Sequence, residues 1–421
     1  MLNVTGHMFL RKFSMCELGI KASTLGGTIH RTLAMFLKVV SLLSLALFSL
    51  AASRTPPASE DVNTGQISDR LSARSALEAR EEFTSLHFDN ARWIGTSEPV
   101  SVLGPRPFRK RVPSSSTKCP VCATIILSSD DIYTLNVNGK EIGTGEGWRN
   151  VVTYTVALES EGDNVFAVQV NNTIGSGKPM GASPFIATIL VNYKDGSTDM
   201  IYTDTTWKTL SSVPPAGWTS PSFDDSQWET PVVKLAGTQT AWGGPWVYPP
   251  AIDMDTAQAI WTDERVNNVA PVGHRAFRTT ITSPYGKAAV CGKMIIDADN
   301  NYTLYVNGDY QGHGGDWHTM QAYSFPILDP DVNVIAVDGE NGVVSPGSTQ
   351  PNPASVVAGM VIAYNDGSFA TYYTSKDWKA VHSVPNGFED PGYDDGSWMA
   401  ASEYGTFGTS SWKSMTTIPQ A

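Results

Sequence analysis

Residues 121–139 read VCATIILSSDDIYTLNVNG, and residues 290–308 read VCGKMIIDADNNYTLYVNG. The two stretches align without a gap and agree at 10 of 19 positions, where about one agreement is expected by chance, so the chain carries an internal duplication. The same offset of 169 pairs Trp148 with Trp317, Tyr154 with Tyr323 and Asn164 with Asn333. Small insertions shift it farther on, so that Asp195-Gly196 meets Asp366-Gly367, Trp207 meets Trp378, and Asp224-Asp225 with Trp228 meets Asp394-Asp395 with Trp398. Upstream, Trp93 and Phe108-Arg109 are paired with Trp261 and Phe277-Arg278. A period this long indicates duplicated globular domains, not a solenoid of short repeats.

Within each copy the local signal is β. In Tyr133-Thr-Leu-Asn-Val and Tyr302-Thr-Leu-Tyr-Val, apolar residues alternate with more polar ones, the period of a half-buried strand. Each run ends in Asn-Gly, at 138–139 and 307–308, the pair that best tolerates the positive φ of a type I′ hairpin turn. Phe166, Val168 and Val170, matched by Ile335 and Val337, supply a further inward row, and no stretch of 87–421 keeps a helical period over three turns. These features predict an all-β protein: two tandem antiparallel β-sandwiches of the jelly-roll kind, module 1 over 87–250 and module 2 over 251–421, each closing its own core between two sheets. Tyr248-Pro249-Pro250 marks the expected boundary.

The N-terminal part reads differently. Residues 39–50 are an uncharged apolar run after Lys38, followed by Ala51, Ala52 and Ser53. That is the plan of a secretory signal, and the run is short of the roughly 20 residues that span a bilayer. The reading is a signal-peptide region over 1–53, cleaved near Ser53, with a signal anchor as the alternative. A polar linker or pro-segment over 54–86 follows, and the mature protein is expected outside the cell with no stable membrane insertion. The chain of 421 residues has 29 basic and 41 acidic residues, and without 1–53 the balance is 24 to 40. That sign argues against coating a phosphate backbone, so nucleic acid is not expected as a partner. Asn171-Asn-Thr and Asn301-Tyr-Thr are glycosylation sequons, with Asn171 and Asn301 as acceptors. Cys119-Pro-Val-Cys122 is read as able to close a small disulfide in an oxidising compartment, and three mature cysteines are too few for a disulfide framework.

Several quoted elements resemble the galactose-binding-domain-like β-sandwiches, in particular the jelly-roll accessory modules on the N-terminal side of α-L-rhamnosidases and related glycoside hydrolases. They are Ala91-Arg-Trp-Ile94, Phe108-Arg109, the strands ending at Gly139 and Gly308, Gly162-Asp-Asn-Val165, and Phe223-Asp-Asp-Ser-Gln-Trp228 with its twin Tyr393-Asp-Asp-Gly-Ser-Trp398. The resemblance spans nearly all of 87–421, and nothing in the chain matches the catalytic (α/α) barrel of rhamnosidases. What it implies is sugar binding at loops at one end of each sandwich, often beside a calcium ion, in a lectin-like protein that is not an enzyme.

A sugar site needs an aromatic face for the apolar side of a pyranose and a few fixed polar groups for its hydroxyls. Trp148, with Glu146 and Arg149, and Trp317, with Asp316 and His318, follow Gly-rich segments at the same place in each copy and are the expected ligand-binding residues. The plainer alternative is that each indole caps the core beneath its loop. Trp207, Trp228, Trp378 and Trp398 stand in strand or turn contexts that favour a core role. Asp130, Asp131, Asp299 and Asn300 offer oxygens to a structural calcium ion, although two such residues per copy cannot complete a shell of six to eight ligands. Turn capping is the other reading of those four, and of Asp224-Asp225 and Asp394-Asp395. No cofactor is required. His313, Asp316 and His318 have the look of a zinc cluster, but the first copy has Thr144, Gly147 and Arg149 there. No nucleophile elbow or phosphate loop is present. The function expected is a secreted, non-catalytic, carbohydrate-binding protein. The alternatives are a glycoside hydrolase or lyase with its site between the modules, and a structural or adhesive extracellular protein.

Overall fold

The computed structural model describes residues 85–99, 102–115, 118–173, 184–236, 246, 248–343 and 351–420. The expected signal region 1–53 and all but the last two residues of the expected linker lie outside these. Residues Ser85–Ala421 form one compact unit. Among the described residues there is no α-helix, only a single 3-10 turn at Phe407–Thr409, and no helix long and apolar enough to cross a membrane.

The strands, numbered in chain order, form four sheets. One runs β11 (Val232–Ala236), β1 (Arg92–Gly95), β8 (Phe185–Tyr193), β3 (Pro120–Ser129), β6 (Val152–Ala157), with β9 (Thr198–Tyr202) also paired to β8. Facing it is β10 (Lys208–Thr209), β2 (Gly104–Val112), β7 (Asn164–Asn172), β4 (Ile132–Val137), β5 (Lys140–Glu146). The third sheet, β23 (Ser402–Thr406), β12 (Gln258–Trp261), β19 (Ser355–Tyr364), β14 (Ala289–Asp299), β17 (Gln321–Phe325), repeats the order of the first, including β20 (Phe369–Tyr373) on β19. The fourth, β22 (Met399–Ala400), β21 (Lys379–Val381), β13 (Gly273–Thr282), β18 (Val332–Asn341), β15 (Asn301–Val306), β16 (Asp309–Gly314), repeats the second with one short strand added. Every pairing between named strands is antiparallel.

Alternation builds each core. Ile125, Leu127, Leu135, Val168 and Ile189 meet between the first two sheets, as Met294, Ile296, Leu304, Val337 and Ile362 do between the other two. The Asn-Gly turns take the conformation their sequence predicts: Asn138 and Asn307 have φ of 52° and 54°, followed by Gly139 and Gly308 at 81° and 86°. Asn138 also donates to Asn164 Oδ1 at 2.7 Å and accepts from the Val165 amide, a pair of contacts repeated by Asn307 with Asn333 and Val334.

Three expectations need correction. Cys122 bonds to Cys291, not to Cys119. It lies on β3 among Val121, Ala157, Val290 and Ala363, where the two sandwiches touch, so its partner is the equivalent cysteine of the other copy. Trp93 and Trp261 are not equivalent. Ile94 pairs with Phe185 and Ile260 with Val356, so Trp261 matches Gly95. Trp93 lies outside the first sheet, stacked on Trp246, whereas Trp261 fills the core against Phe277. Finally, Leu86, placed in the linker by composition, is fully buried beside Phe88 and Trp93.

Candidate functional site

At one end of each sandwich the strand connections converge. In the first, Asp131 closes the β3–β4 turn with φ of 67°, its carbonyl accepts from the Gly147 amide at 2.9 Å, and its Oδ2 accepts from the Thr173 amide at 2.8 Å. That ties the 130–131 turn to the β5–β6 loop and to the end of β7. In the second, Asn300 Oδ1 accepts from the Gly342 amide at 2.6 Å, and Gly342 is the residue equivalent to Thr173. A Cβ on Gly315 would press on Asn301 Oδ1, so the β16–β17 loop passes as close there as the β5–β6 loop does in the first copy. The residues singled out from sequence are thus gathered by the fold at matching ends.

Two of the glycines that precede each Trp belong to strands. Gly143 and Gly145 lie in β5, and a Cβ on either would run into Tyr154 or Tyr133, whose hydroxyls share a 2.9 Å hydrogen bond. Gly312 and Gly314 stand in the same relation to Tyr323 and Tyr302, whose hydroxyls are 3.0 Å apart. The loop proper begins at Gly147, with φ of 82°.

Trp148 is half-buried. Its ring packs edge-on to Trp246, 6.3 Å between centroids, and the Arg149 guanidinium lies 4.7 Å over it. Its carbonyl accepts from the Ser128 hydroxyl, which pins the loop to β3. Glu146 is exposed, and its carbonyl accepts from Asn150. Trp317 is also half-buried, its ring stacked on the His318 imidazole at 3.6 Å. His318 Nδ1 is 2.9 Å from Asp316 Oδ1, an oxygen that also accepts from the His318 amide. Those amide and imidazole hydrogen bonds hold the Asp316 carboxyl below the usual carboxylate range. The Trp317 carbonyl accepts from the Trp412 indole, so the C-terminal segment anchors this loop from below. Each end therefore offers one half-buried indole, a guanidinium or imidazole over its ring, and a carboxylate one or two residues before it, Glu146 at the end of β5 or Asp316 in the loop.

Of the proposed calcium ligands, Asp131 and Asn300 spend a side-chain oxygen on a backbone amide. Burial pushes Asp299 up to about 6, against the pull of Arg265. Among the described residues no three His, Cys, Asp or Glu side chains gather in a metal-holding arrangement; His313 instead meets the Tyr310 hydroxyl at 2.9 Å. Trp207 and Trp378 lie in the inter-sheet cores, and Trp228 stacks on Trp218. Asp225 and Asp395 grip the buried Arg109 and Arg278 at 2.8 and 2.6 Å. Sequence reasoning passed over Arg265 and the pair Asp338 and Glu340. A charged Asp-x-Glu directly after the apolar run 334–337 of β18 was the available signal.

Between the sandwiches lies a cleft of about 70 Å³, lined by Asn138, Lys140, Ile142 and Glu159 on one side and Val290 and Asn365 on the other. Glu159 is the sole carboxylate among its lining residues.

No protein-family model matches the chain. An α-L-rhamnosidase from Streptomyces avermitilis is 25% identical over an alignment of 367 positions that covers 76% of this chain but 32% of that protein. One from an Alteromonas species is 24% identical over 182 residues, 20% of its length. The chain therefore spans a third or less of these glycosidases. Crystallised lectin from Pleurotus ostreatus, solved in complex with GalNAc, is 38% identical with a TM-score of 0.73, and the match covers 81% of this chain and 98% of the lectin. Its apo form superposes with the same TM-score. Identity of that size over 98% of the lectin goes well beyond shared architecture, and the chain belongs to the family of the Pleurotus ostreatus lectin.

Proposed function

We propose that this protein is a lectin, binding sugar residues of glycans at the loop end of each sandwich without cleaving them. The observation that carries this is the end-to-end likeness to a lectin captured with GalNAc, which makes GalNAc-terminated glycans the first ligands to test. The arrangement at each end suits the task. A pyranose lays its C–H face on an indole while nearby carboxylate, guanidinium or imidazole groups take its hydroxyls. Trp148 with Glu146 and Arg149, and Trp317 with Asp316 and His318, are the residues assigned this role. A glycosidase site between the sandwiches is disfavoured, because hydrolysis calls for two carboxyl groups about 5–10 Å apart and the cleft lining supplies Glu159 alone.

The same reading places the protein outside the cell, with glycan carried at Asn171 and no cofactor required; at Asn301, the second sequon, Nδ2 donates to Glu340 Oε2 at 2.9 Å and is left unmodified in this reading. Asp130, Asp131, Asp299 and Asn300 are the positions for a calcium ion of structural role. A glycan array with purified protein tests the whole. Binding to GalNAc-terminated glycans is expected, surviving chelation and falling to a weak residue only when Trp148→Ala and Trp317→Ala are combined, with no free sugar released. Failure to bind any glycan, or sugar release that a carboxylate substitution abolishes, overturns it. Loss of binding on chelation, restored by calcium, assigns the four oxygen-bearing residues to ligand binding instead.

A further inference from the structure

We infer that the second sandwich carries an additional saccharide site on the outer face of its β13, β18, β15 and β16 strands, built from Tyr310, His313, Asp338, His274 and Glu340. The inference rests on the lectin reading but concerns a surface apart from the Trp317 loop. Strand register sets the geometry. His274 lies opposite Glu340 and Glu340 opposite Asn301; in the next row Ala276, Asp338, Thr303 and His313 stand side by side; in the third Tyr305 faces Tyr310. Residues directly opposite share a face, and this face is the outer one, since Phe277, Val337 and Leu304 of the alternate rows fill the core. With strands about 4.8 Å apart the four span roughly 14 Å, room for more than one pyranose ring.

The side chains are held as a binding surface would hold them. His274 Nδ1 is 2.9 Å from Asp338 Oδ1, and Asn301 donates to Glu340 Oε2 at 2.9 Å, so each carboxylate has its rotation fixed by a neighbour. The Tyr310 hydroxyl pairs with His313 Nδ1 at 2.9 Å, and the residue, 48% exposed, has its ring edge-on to Tyr305 at 6.1 Å. An exposed aromatic ring beside two fixed acceptors and two imidazoles meets the demands of a sugar site. The carboxylates select a neutral, hydroxyl-rich saccharide over an acidic one. The first sandwich lacks all of it: Pro105, Asn171, Ile132, Gln169, Thr144 and Glu141 occupy the matching positions. Duplication kept the fold of this face and changed its chemistry in one copy.

The test uses the full chain carrying Trp148→Ala and Trp317→Ala, titrated with a neutral GalNAc-terminated trisaccharide. Residual weak binding is expected, falling about tenfold when Tyr310→Ala or Asp338→Asn is added, as the loss of one stacked ring or acceptor requires. Tyr310→Phe, which keeps the ring, should retain it. If wild-type protein binds the trisaccharide but the double Trp variant shows no residual binding, or Tyr310→Ala leaves that binding unchanged, this site is refuted while the lectin reading stands. If wild-type protein binds no glycan at all, both fall.

Discussion

Arg278 and Asp297 are both charged residues removed from solvent in the second sandwich, and their surroundings are opposite. The Arg278 guanidinium reaches Asp395 at 2.6 Å and the carbonyls of Phe388 and Asp390 at 3.0 and 2.7 Å, so it is paired and saturated. Burying a cation is tolerated on those terms. Asp297, 2% exposed on the outer side of β14, has Oδ1 on the Ala298 amide, while Oδ2 is buried without a hydrogen-bond partner. Burial first, then the nearby Asp316 and Asp299, push it up to about 8. The consequence for stability has a definite sign. A carboxyl whose pKa is raised by folding favours the folded state fully below its unfolded pKa near 3.9 and loses that advantage as pH climbs to 8. Asp297→Asn supplies the neutral isostere at every pH. It should therefore match wild type near pH 4 and exceed it progressively toward pH 8, by at most about 1.4 kcal/mol per pH unit. Denaturant midpoints of the two proteins at pH 4, 6 and 8 provide the measurement. A constant difference, or one that shrinks with pH, contradicts the assignment.

At the scale of strands, the Trp93 and Trp261 positions show what sequence patterning reaches and what it misses. Alternation and Asn-Gly pairs foretold β4, β15 and their hairpins, because those signals depend on neighbouring residues alone. The shared Trp misled the comparison, since which face a tryptophan enters depends on partners far along the chain. In the first sandwich Phe185 packs on Phe108 at 4.9 Å, in the same core cluster as Val170. In the second, Val356 replaces Phe185, and Trp261 packs instead on Phe277 at 5.1 Å. The added indole needs room. Gly339, where the first copy has Val170, provides it: a Cβ there would lie 3.1 Å from Trp261 and Val356 and 3.2 Å from Phe277. Gly339→Ala should thus cost about 1–3 kcal/mol by overpacking, although alanine is the better strand residue. Loss of stability in urea denaturation is the expected result, and a variant as stable as wild type would show that Trp261 is not confined. The Trp148 and Trp317 loops were legible for a related reason: both follow a strand whose glycines are dictated by a Tyr pair within the same copy. Asp338, Glu340 and Tyr310 escaped notice because β18, β15 and β16 must be aligned before these residues become neighbours.

For the molecule as a whole, the Cys122–Cys291 bond closes a separation of 169 residues and joins the same position of both copies. The cysteines are visible in the sequence and their pairing is not, since Cys119 stands nearer along the chain and only the docking of β3 near β14 brings Cys291 within reach. Around the bond the contact is thin: Val121, Ala157, Val290 and Ala363 are small or branched, and beside them Lys140 Nζ donates to the Asn365 carbonyl at 3.0 Å. Interfaces of this modest kind between domains that each close their own core do not by themselves prevent relative motion. The disulfide is then what fixes the direction in which the two loop ends point, and fixed spacing decides whether two weak sites engage one glycan surface. Replacing both cysteines by serine separates the two properties. The bond lies near the starts of β3 and β14 and the candidate loops at their far ends, so affinity for free GalNAc should remain unchanged at both sites. Small-angle scattering should report a larger radius of gyration and a broader distance distribution as the sandwiches move about their connection. Unchanged scattering from the serine variant would mean that packing around Lys140 and Ala363 suffices, and that the disulfide adds stability without setting the geometry.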